Sequence, residues 1–320
     1  IHARDYRSAW IGFWGKGQGS GGNVSVMRGR PTSYDEIFAI LGEAEHRALA
    51  HFGAGSPERG RVLLTFGQVL HHRPWLDIDG VRVRKTREAL RILEDAFGPA
   101  HPEVLASKRQ LGQNLLVFPR RGEYVVPDPA QLDETVALAR EALDPTIEVF
   151  GPSGSAAAAV HGLLGRALLW RGEEQDPDEA IRALGRATDY YRESGPRLRG
   201  SFLSGASHYR AALSRAGRST EALRVLEEVM PLALDGGRLD VYRLWSGFWI
   251  DEWQSVGDID GGERLLFEIA MDASTEYGET SPRATVAADI LLRYYERAHM
   301  LEKRDKWQAL MQARGGLPSD

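Results

Sequence analysis

Cysteine is absent from the 320 residues. That removes disulfide frameworks, thiolate zinc sites, iron–sulfur clusters and cysteine nucleophiles together. No uncharged apolar run of about 18 residues occurs either, so no helix is expected to span a bilayer. Positive charge is in slight deficit, with 40 Lys and Arg against 45 Asp and Glu for a formal charge of −5. This argues against a nucleic-acid partner, whose phosphates need a net basic face. His-Glu-x-x-His and Gly-x-Ser-x-Gly are also missing, and Glu227-Glu228 reads as an ordinary helix-surface pair. Glu43 with His46, and the adjacent His71-His72, are weak metal signals that read as surface or edge histidines. No catalytic residue, cofactor or metal is expected, and the chain reads as a non-enzyme.

What is present suits a packed core: 42% hydrophobic and 27% charged residues place the chain outside the disordered class. The most informative pattern is a recurring break after a helical stretch, at Phe52-Gly53, Phe97-Gly98, Phe150-Gly151, Gly195, Gly236 and Tyr277-Gly278. Successive glycines lie 45, 53, 44, 41 and 42 residues apart. Self-similarity near that period predicts stacked supersecondary units rather than one globular core. Prolines follow as Pro57, Pro102, Pro152, Pro196 and Pro282. Glycine past a helix end supplies the left-handed turn, and proline in the first turn of the next helix loses no needed hydrogen bond.

Between the breaks, apolar residues recur at threes and fours, as in Val104, Leu111 and Leu115. Fourteen residues after Gly53, Gly98 and Gly151 come Gly67, Gly112 and Gly165, each inside a helical segment. Glycine there costs about 1 kcal/mol against alanine, so three at one offset predict close approach of a neighbouring helix. Ser33 with Glu36, Asp128-Pro129 with Gln131, and Asp176-Pro177 with Glu179 are helix-start signals.

The run Glu88-Ala-Leu-Arg-Ile-Leu-Glu-Asp-Ala-Phe-Gly-Pro-Ala-His101-Pro102-Glu-Val104, continuing to Leu111-Gly112-Gln-Asn-Leu115, resembles the helix-turn-helix junction of the long tetratricopeptide repeat of kinesin light chains. Ala-Gly217-Arg-Ser-Thr-Glu221-Ala222-Leu223 resembles that family's inner turn. The resemblance spans roughly residues 33 to 312, with about ten extra residues in the turns after Leu70 and Leu115. It implies an all-α fold, a right-handed α-solenoid of about six stacked repeats whose first helices face a concave groove. Carried onto this chain, the groove residues are Gln68, His71, Arg109, Gln113, Arg166, Ser207, Arg210, Asp251, Gln254, Arg293 and Glu296. The arginines make the middle of the wall locally basic, which suits an extended acidic peptide.

Three segments are expected: an N-terminal arm over 1–32, a repeat domain over 33–315 and a tail over 316–320. In the arm, Trp10, Ile11, Phe13 and Trp14 crowd together before a glycine run and call for a docking surface, on the first repeat or on another protein. Gly17-Gln-Gly19-Ser-Gly-Gly22 has nucleotide-loop spacing but no βαβ context, and reads as flexible linker. Trp245, Trp249 and Trp253 lie along one helix stripe; Trp249 and Trp253 align with the packing residues Leu111 and Leu115, so core is the expectation. Tyr294, Tyr295 and Trp307 should close the last pair. The leading functional expectation is a scaffold binding a protein or peptide. Alternatives are a structural subunit of an assembly anchored by its arm, or a regulatory module of a larger signalling enzyme such as a bacterial kinase.

Overall fold

The computed structural model describes residues 34–72, 77, 80–116, 127–237 and 239–313, and these form α-helices with no strand. They fall into two compact units that divide between Gly205 and Ala206. The first carries α1 (Tyr34–Phe52), α2 (Pro57–His71), α3 (Val81–Phe97), α4 (Pro102–Leu115), α5 (Pro129–Phe150), α6 (Ser155–Arg171) and α7 (Asp176–Glu193). A short 3-10 turn (Gly195–Leu198) leads into α8 (Arg199–Arg215), in which the division falls. The second unit continues with α9 (Ser219–Asp235), α10 (Leu239–Val256), α11 (Ile259–Tyr277), α12 (Pro282–Arg297) and α13 (Leu301–Ala313).

Helix boundaries follow local chemistry. Ser56, His101, Asp128 and Ser281 each accept a backbone N–H of the first turn, and a proline follows each at the first helical position. Asp176 departs from this expectation: its carboxylate turns to Arg171, at 2.6 and 2.9 Å, and to the Glu173 N–H, so it braces the turn instead of capping α7. Gly98, Gly151 and Gly278 end their helices at positive φ, each returning its N–H to the carbonyl four residues back. The break expected at Gly236 is displaced by one residue: Gly236 stays right-handed and Gly237 takes φ 68°.

Within each unit, successive helices pack against one another, and alternate helices also meet: α2 with α4, α4 with α6, and α10 with α12. That is the contact order of stacked helix pairs sharing a core. Leu63, Ala89 and Ile92 close the α2–α3 pair, while Ile37, Leu41, Phe66 and Leu70 join α1 to α2. Each fully buried leucine or isoleucine contributes roughly 1.5–3 kcal/mol. The three offset glycines sit where helices come closest. A Cβ on Gly67 would lie 2.0 Å from Thr86 Oγ1, one on Gly112 2.7 Å from Leu163 Cδ2, and one on Gly165 2.4 Å from Leu184 Cγ.

Charge reinforces the stacking on the surface. Arg61 of α2 grips Glu103 of α4 at 2.7 and 2.9 Å, and Arg140 of α5 grips Glu179 of α7 at 2.5 and 3.2 Å. Arg87 of α3 makes the equivalent fork with Glu134 of α5. Exposed pairs of this kind add only about 0.2–1 kcal/mol each, so they fix register more than they hold the stack.

In the second unit the indoles of Trp249 and Trp253 are buried and stacked 4.6 Å apart, with the Tyr294 ring edge-on to Trp253. Gly262 leaves room for them, since a Cβ there would meet Trp253 and the Tyr294 hydroxyl at 2.7 Å. Tyr295 and Trp307 are buried as expected, with Trp307 Nε1 donating to the Ala288 carbonyl at 3.3 Å. The side chains of Trp245 and Glu36, the residue Ser33, and residues 73–76, 78–79 and 117–126 of the two insertions lie outside the described residues.

Candidate functional site: the first-helix wall

The best-organised polar cluster lies in the first unit, where α2, α4 and α6 lie side by side. Asn114 of α4 is fully buried. Its Nδ2 donates to Thr86 Oγ1 at 2.9 Å and toward the Gly67 carbonyl at 3.5 Å, which turns Oδ1 the other way. Gln110 Nε2 donates to that oxygen at 3.0 Å, and His71 Nδ1 approaches it at 3.1 Å. A carbonyl oxygen can only accept, so the His71 proton sits on Nδ1 and Nε2 is left as an acceptor. Burial, with the charges of His72 and Arg82 nearby, pushes the His71 pKa down to about 4, so the ring is neutral at physiological pH. Arg82 is buried against Asp77, at 3.5 Å, and Asp77 also accepts the Arg82 backbone N–H at 3.0 Å.

Arg166, on α6, acts electrostatically on His71, and Arg109 lies on α4. Their helices touch where Gly112 meets Leu163, one turn from each arginine. Arg166 folds back along its own helix, Nε donating to the Gly162 carbonyl at 3.2 Å. Arg109 is half-buried, and its Nε is enclosed without an acceptor. Its side chain walls a cavity of about 90 Å³ together with Leu105, Phe150, Val160 and Thr146, whose buried hydroxyl also lacks a partner. Neither arginine meets a carboxylate among the described residues. Burial lowers the pKa of both, and both guanidiniums act electrostatically on the hydroxyl of Tyr191, on the last turn of α7. Burial raises the Tyr191 pKa against that pull, and its ring faces Gly205, where a Cβ would lie 3.4 Å from it. Gln68 and Gln113 are partly exposed on α2 and α4.

The second unit places its candidates differently. Arg210, expected on the open wall, is buried: Nη1 meets Glu252 Oε1 at 3.4 Å and the guanidinium lies 4.2 Å from the Phe248 ring centroid. An inward-turned arginine next to a buried acid is the cheaper arrangement, because either charge alone would be dehydrated and unmatched. Asp251, Gln254, Arg293 and Glu296 are exposed, and Ser207 is partly so. Asp251 pairs with Arg297 at 2.7 Å, Gln254 Nε2 donates to the Arg297 carbonyl at 3.2 Å, and Arg293 pairs with Asp289 at 2.9 Å. Charges there balance locally.

No family model matches the chain, and no curated protein does. Among solved structures it is similar to nearly identical TPR-like repeats of kinesin light chain type from Podosopora anserina, with 17% identity over 67% of this chain and 96% of that one, at a TM-score of 0.46. A variant of the same repeats gives 16% identity over 80% and 94%, at 0.47. The fold described above rests on this chain's own helix order and packing.

The cluster includes residues that spacing did not pick out. Asn114, Thr86, Asp77 and Arg82 lie off the first-helix stripe, and Tyr191 belongs to a second helix. Asn114 follows another polar residue, Gln113, between Leu111 and Leu115, so the sequence alone did not mark it as the buried one. The metal signals dissolve into other contacts: Glu43 pairs with Arg47 at 2.5 Å, and Asn114 occupies His71 Nδ1. The arm residues Trp10, Ile11, Phe13 and Trp14 lie outside the described residues.

Proposed function

We propose that this chain is a non-enzymatic interaction scaffold that holds a protein or peptide segment on the wall built by its first helices. The observation that carries the reading is the pair Arg109 and Arg166: two half-buried cations, on neighbouring helices of a stacked array, without an acid partner among the described residues. Gln68, His71 and Gln113 add neutral donors and an acceptor around them. Stacked helix pairs offer a long preorganised surface, so affinity accumulates from several modest contacts and not from one deep pocket. The second unit, taken by itself, carries Ser207, Asp251, Gln254, Arg293 and Glu296 as a mixed-charge face, with Arg210 acting by holding Glu252. The aromatic run Trp10, Ile11, Phe13 and Trp14 is, on its composition, a further point of attachment.

Comparing captured proteins by mass spectrometry, for the natural chain and for Arg109→Ala/Arg166→Ala, tests this. The double variant should lose its specific partners, with the difference largest at low salt, where exposed charge is least screened. Identical capture at every ionic strength would reject the assignment.

A further inference from the structure

A cavity of about 90 Å³ lies in the first unit where α4, α5 and α6 meet. Its walls are largely apolar: Leu105 and Val160 are buried in them, and Phe150, 46% exposed, stands at the solvent side. Two polar side chains share the lining, Arg109 from α4 and Thr146 from α5. Each has an enclosed atom without a hydrogen-bond partner, Arg109 Nε and Thr146 Oγ1. For the hydroxyl this is a departure. Thr86 on α3 and Thr135 on α5 are equally buried, and each donates to the carbonyl four residues back, at 2.8 and 2.7 Å. Thr146, 1% exposed, makes no such bond beside the cavity.

The guanidinium departs from its surroundings too. Arg59 meets Glu45 and Glu88, Lys108 meets Glu94 and Glu141, and Arg171 meets Asp176. Arg109 is partly withdrawn from water with no acid partner among the described residues. A cation in that position lacks a counterion.

Volume and lining together select the occupant. Water suits the space poorly, because about three molecules fit and each buried one needs two to four polar partners. Two polar side chains do not meet that demand. A cavity of about 150 Å³ encloses benzene, so on the same scale this one takes roughly four non-hydrogen atoms of a ligand. An aromatic ring is too large, and a short aliphatic stem fits. At the head of the stem, a guanidinium without an acid calls for an anion, and a carboxylate offers two coplanar acceptors to its planar fork. The Thr146 hydroxyl is a further donor on the same lining.

We propose that this cavity is a receptor for a carboxylate carried on a short aliphatic stem, with Arg109 binding the head and Leu105, Phe150 and Val160 enclosing the stem. A small free acid and a glutamate side chain of a bound partner both present that chemistry. The inference rests on the reading of Arg109 as a contact for something outside the chain, and specifies what that contact takes.

The test uses the full chain and saturation-transfer NMR observed on the ligand, which registers weak binding. Butyrate reproduces a glutamate side chain from Cα outward; it is compared with acetate, uncharged butyramide, benzoate and a glutamate residue blocked at both ends. Butyrate should bind about tenfold or more tightly than acetate, because two further methylenes leave water. Butyramide should bind at least tenfold more weakly than butyrate, and benzoate should be excluded by size. Arg109→Gln should weaken butyrate at least tenfold, and Thr146→Val, which keeps the shape and deletes the hydroxyl, about fivefold. Arg87→Gln, on the surface of α3, should leave binding unchanged. Thermal melts guard against a folding artefact: Thr146→Val should melt no lower than the natural chain, since it removes an unpartnered hydroxyl.

Acetate or benzoate binding as tightly as butyrate, or butyrate binding that ignores Arg109→Gln and Thr146→Val, would overturn the receptor. The blocked glutamate separates the two sources. Binding as tight as that of butyrate supports a partner's side chain, and its failure where butyrate binds assigns the cavity to a small free acid. If neither ligand gives a signal while protein capture still depends on Arg109 and Arg166, the receptor fails and the scaffold reading stands. If butyrate binds through Arg109 while capture is indifferent to both arginines, the scaffold reading fails and the receptor stands.

Discussion

Asn114 aims its side-chain oxygen at Nδ1 of His71, 3.1 Å away, and is kept in that orientation by Thr86, Gly67 and Gln110. One fully buried carboxamide thus ties α2, α3 and α4 together and sets the tautomer of a histidine on the candidate site. Replacing it with alanine leaves Thr86, Gln110 and His71 with unmet hydrogen-bonding groups. Asn114→Ala should therefore cost about 2–3 kcal/mol in denaturant unfolding. A loss below about 0.5 kcal/mol would mean that these groups find other partners and that the carboxamide organises nothing.

The same histidine gives the first unit an acid-sensitive component. Its pKa is about 4 when folded and near 6.5 when unfolded. Between those values the unfolded chain binds more protons, so stability present above about pH 6.5 is lost as the pH falls toward 4. Allowing for partial solvent access, the contribution is on the order of 2 kcal/mol. His72 and His161 are also depressed by burial and slope the same way, so the natural chain alone does not isolate the effect. Denaturant midpoints for the natural chain and His71→Gln, measured from pH 7.5 to 4.5, should converge on acidification. Parallel curves would show that His71 does not titrate in this window.

How much of this was legible in the sequence depends on whether a residue's role is local or borrowed from a neighbour. Helix starts at Pro57, Pro102, Pro129 and Pro282, and ends at Gly98, Gly151 and Gly278, were legible because caps and left-handed turns are local chemistry. The buried stack of Trp249 and Trp253 was legible through alignment with Leu111 and Leu115, since repeats reuse core positions. The fate of Arg210 was not: it depends on Glu252, 42 residues away, and on the Phe248 ring. Tyr191 was missed for the same reason. The electrostatic pull of Arg109 and Arg166 on it comes from how α7 packs, and no spacing rule for first helices reaches a residue on a second helix.

The offset glycines give a comparative test of close approach. Gly112→Ala would push a methyl to 2.7 Å from Leu163 Cδ2, and Gly165→Ala would meet Leu184 Cγ at 2.4 Å and its backbone nitrogen at 3.0 Å. Overpacking of this kind costs about 1–3 kcal/mol, and Gly165 should be the worse because backbone yields less than a leucine tip. Gly42, in exposed α1, has nothing within 4 Å of the added carbon. There the same substitution should stabilise by about 0.5–1 kcal/mol. Stabilisation at all three positions would mean that the helices are not in contact at Gly112 and Gly165.

Glu252 and Arg210 form a buried pair in the second unit, exposed by 3% and 9%. Removing the acid strands a guanidinium that only the Phe248 face then accompanies. Glu252→Ala should lower stability by about 3–5 kcal/mol, whereas Arg210→Met/Glu252→Leu, which removes both charges, should recover most of it. Thermal unfolding of the three chains decides the matter. A double variant as unstable as the single would show that shape at these positions matters more than charge balance.

Arg166 offers the opposite sign. It is held in the first unit by a hydrogen bond to the Gly162 carbonyl, with no acid partner among the described residues. Methionine keeps most of the stem's packing while deleting the charge. If the site holds unmatched positive charge at the expense of stability, Arg166→Met should raise the stability of the chain without ligand by about 1 kcal/mol, seen as a higher denaturant midpoint in low salt. High salt should shrink the difference, because added anions screen the natural chain and have less to screen in the variant. A variant that is less stable than the natural chain at both salt concentrations would show that the guanidinium is already satisfied within the fold. In that case the side chain offers no unmet charge to a bound partner.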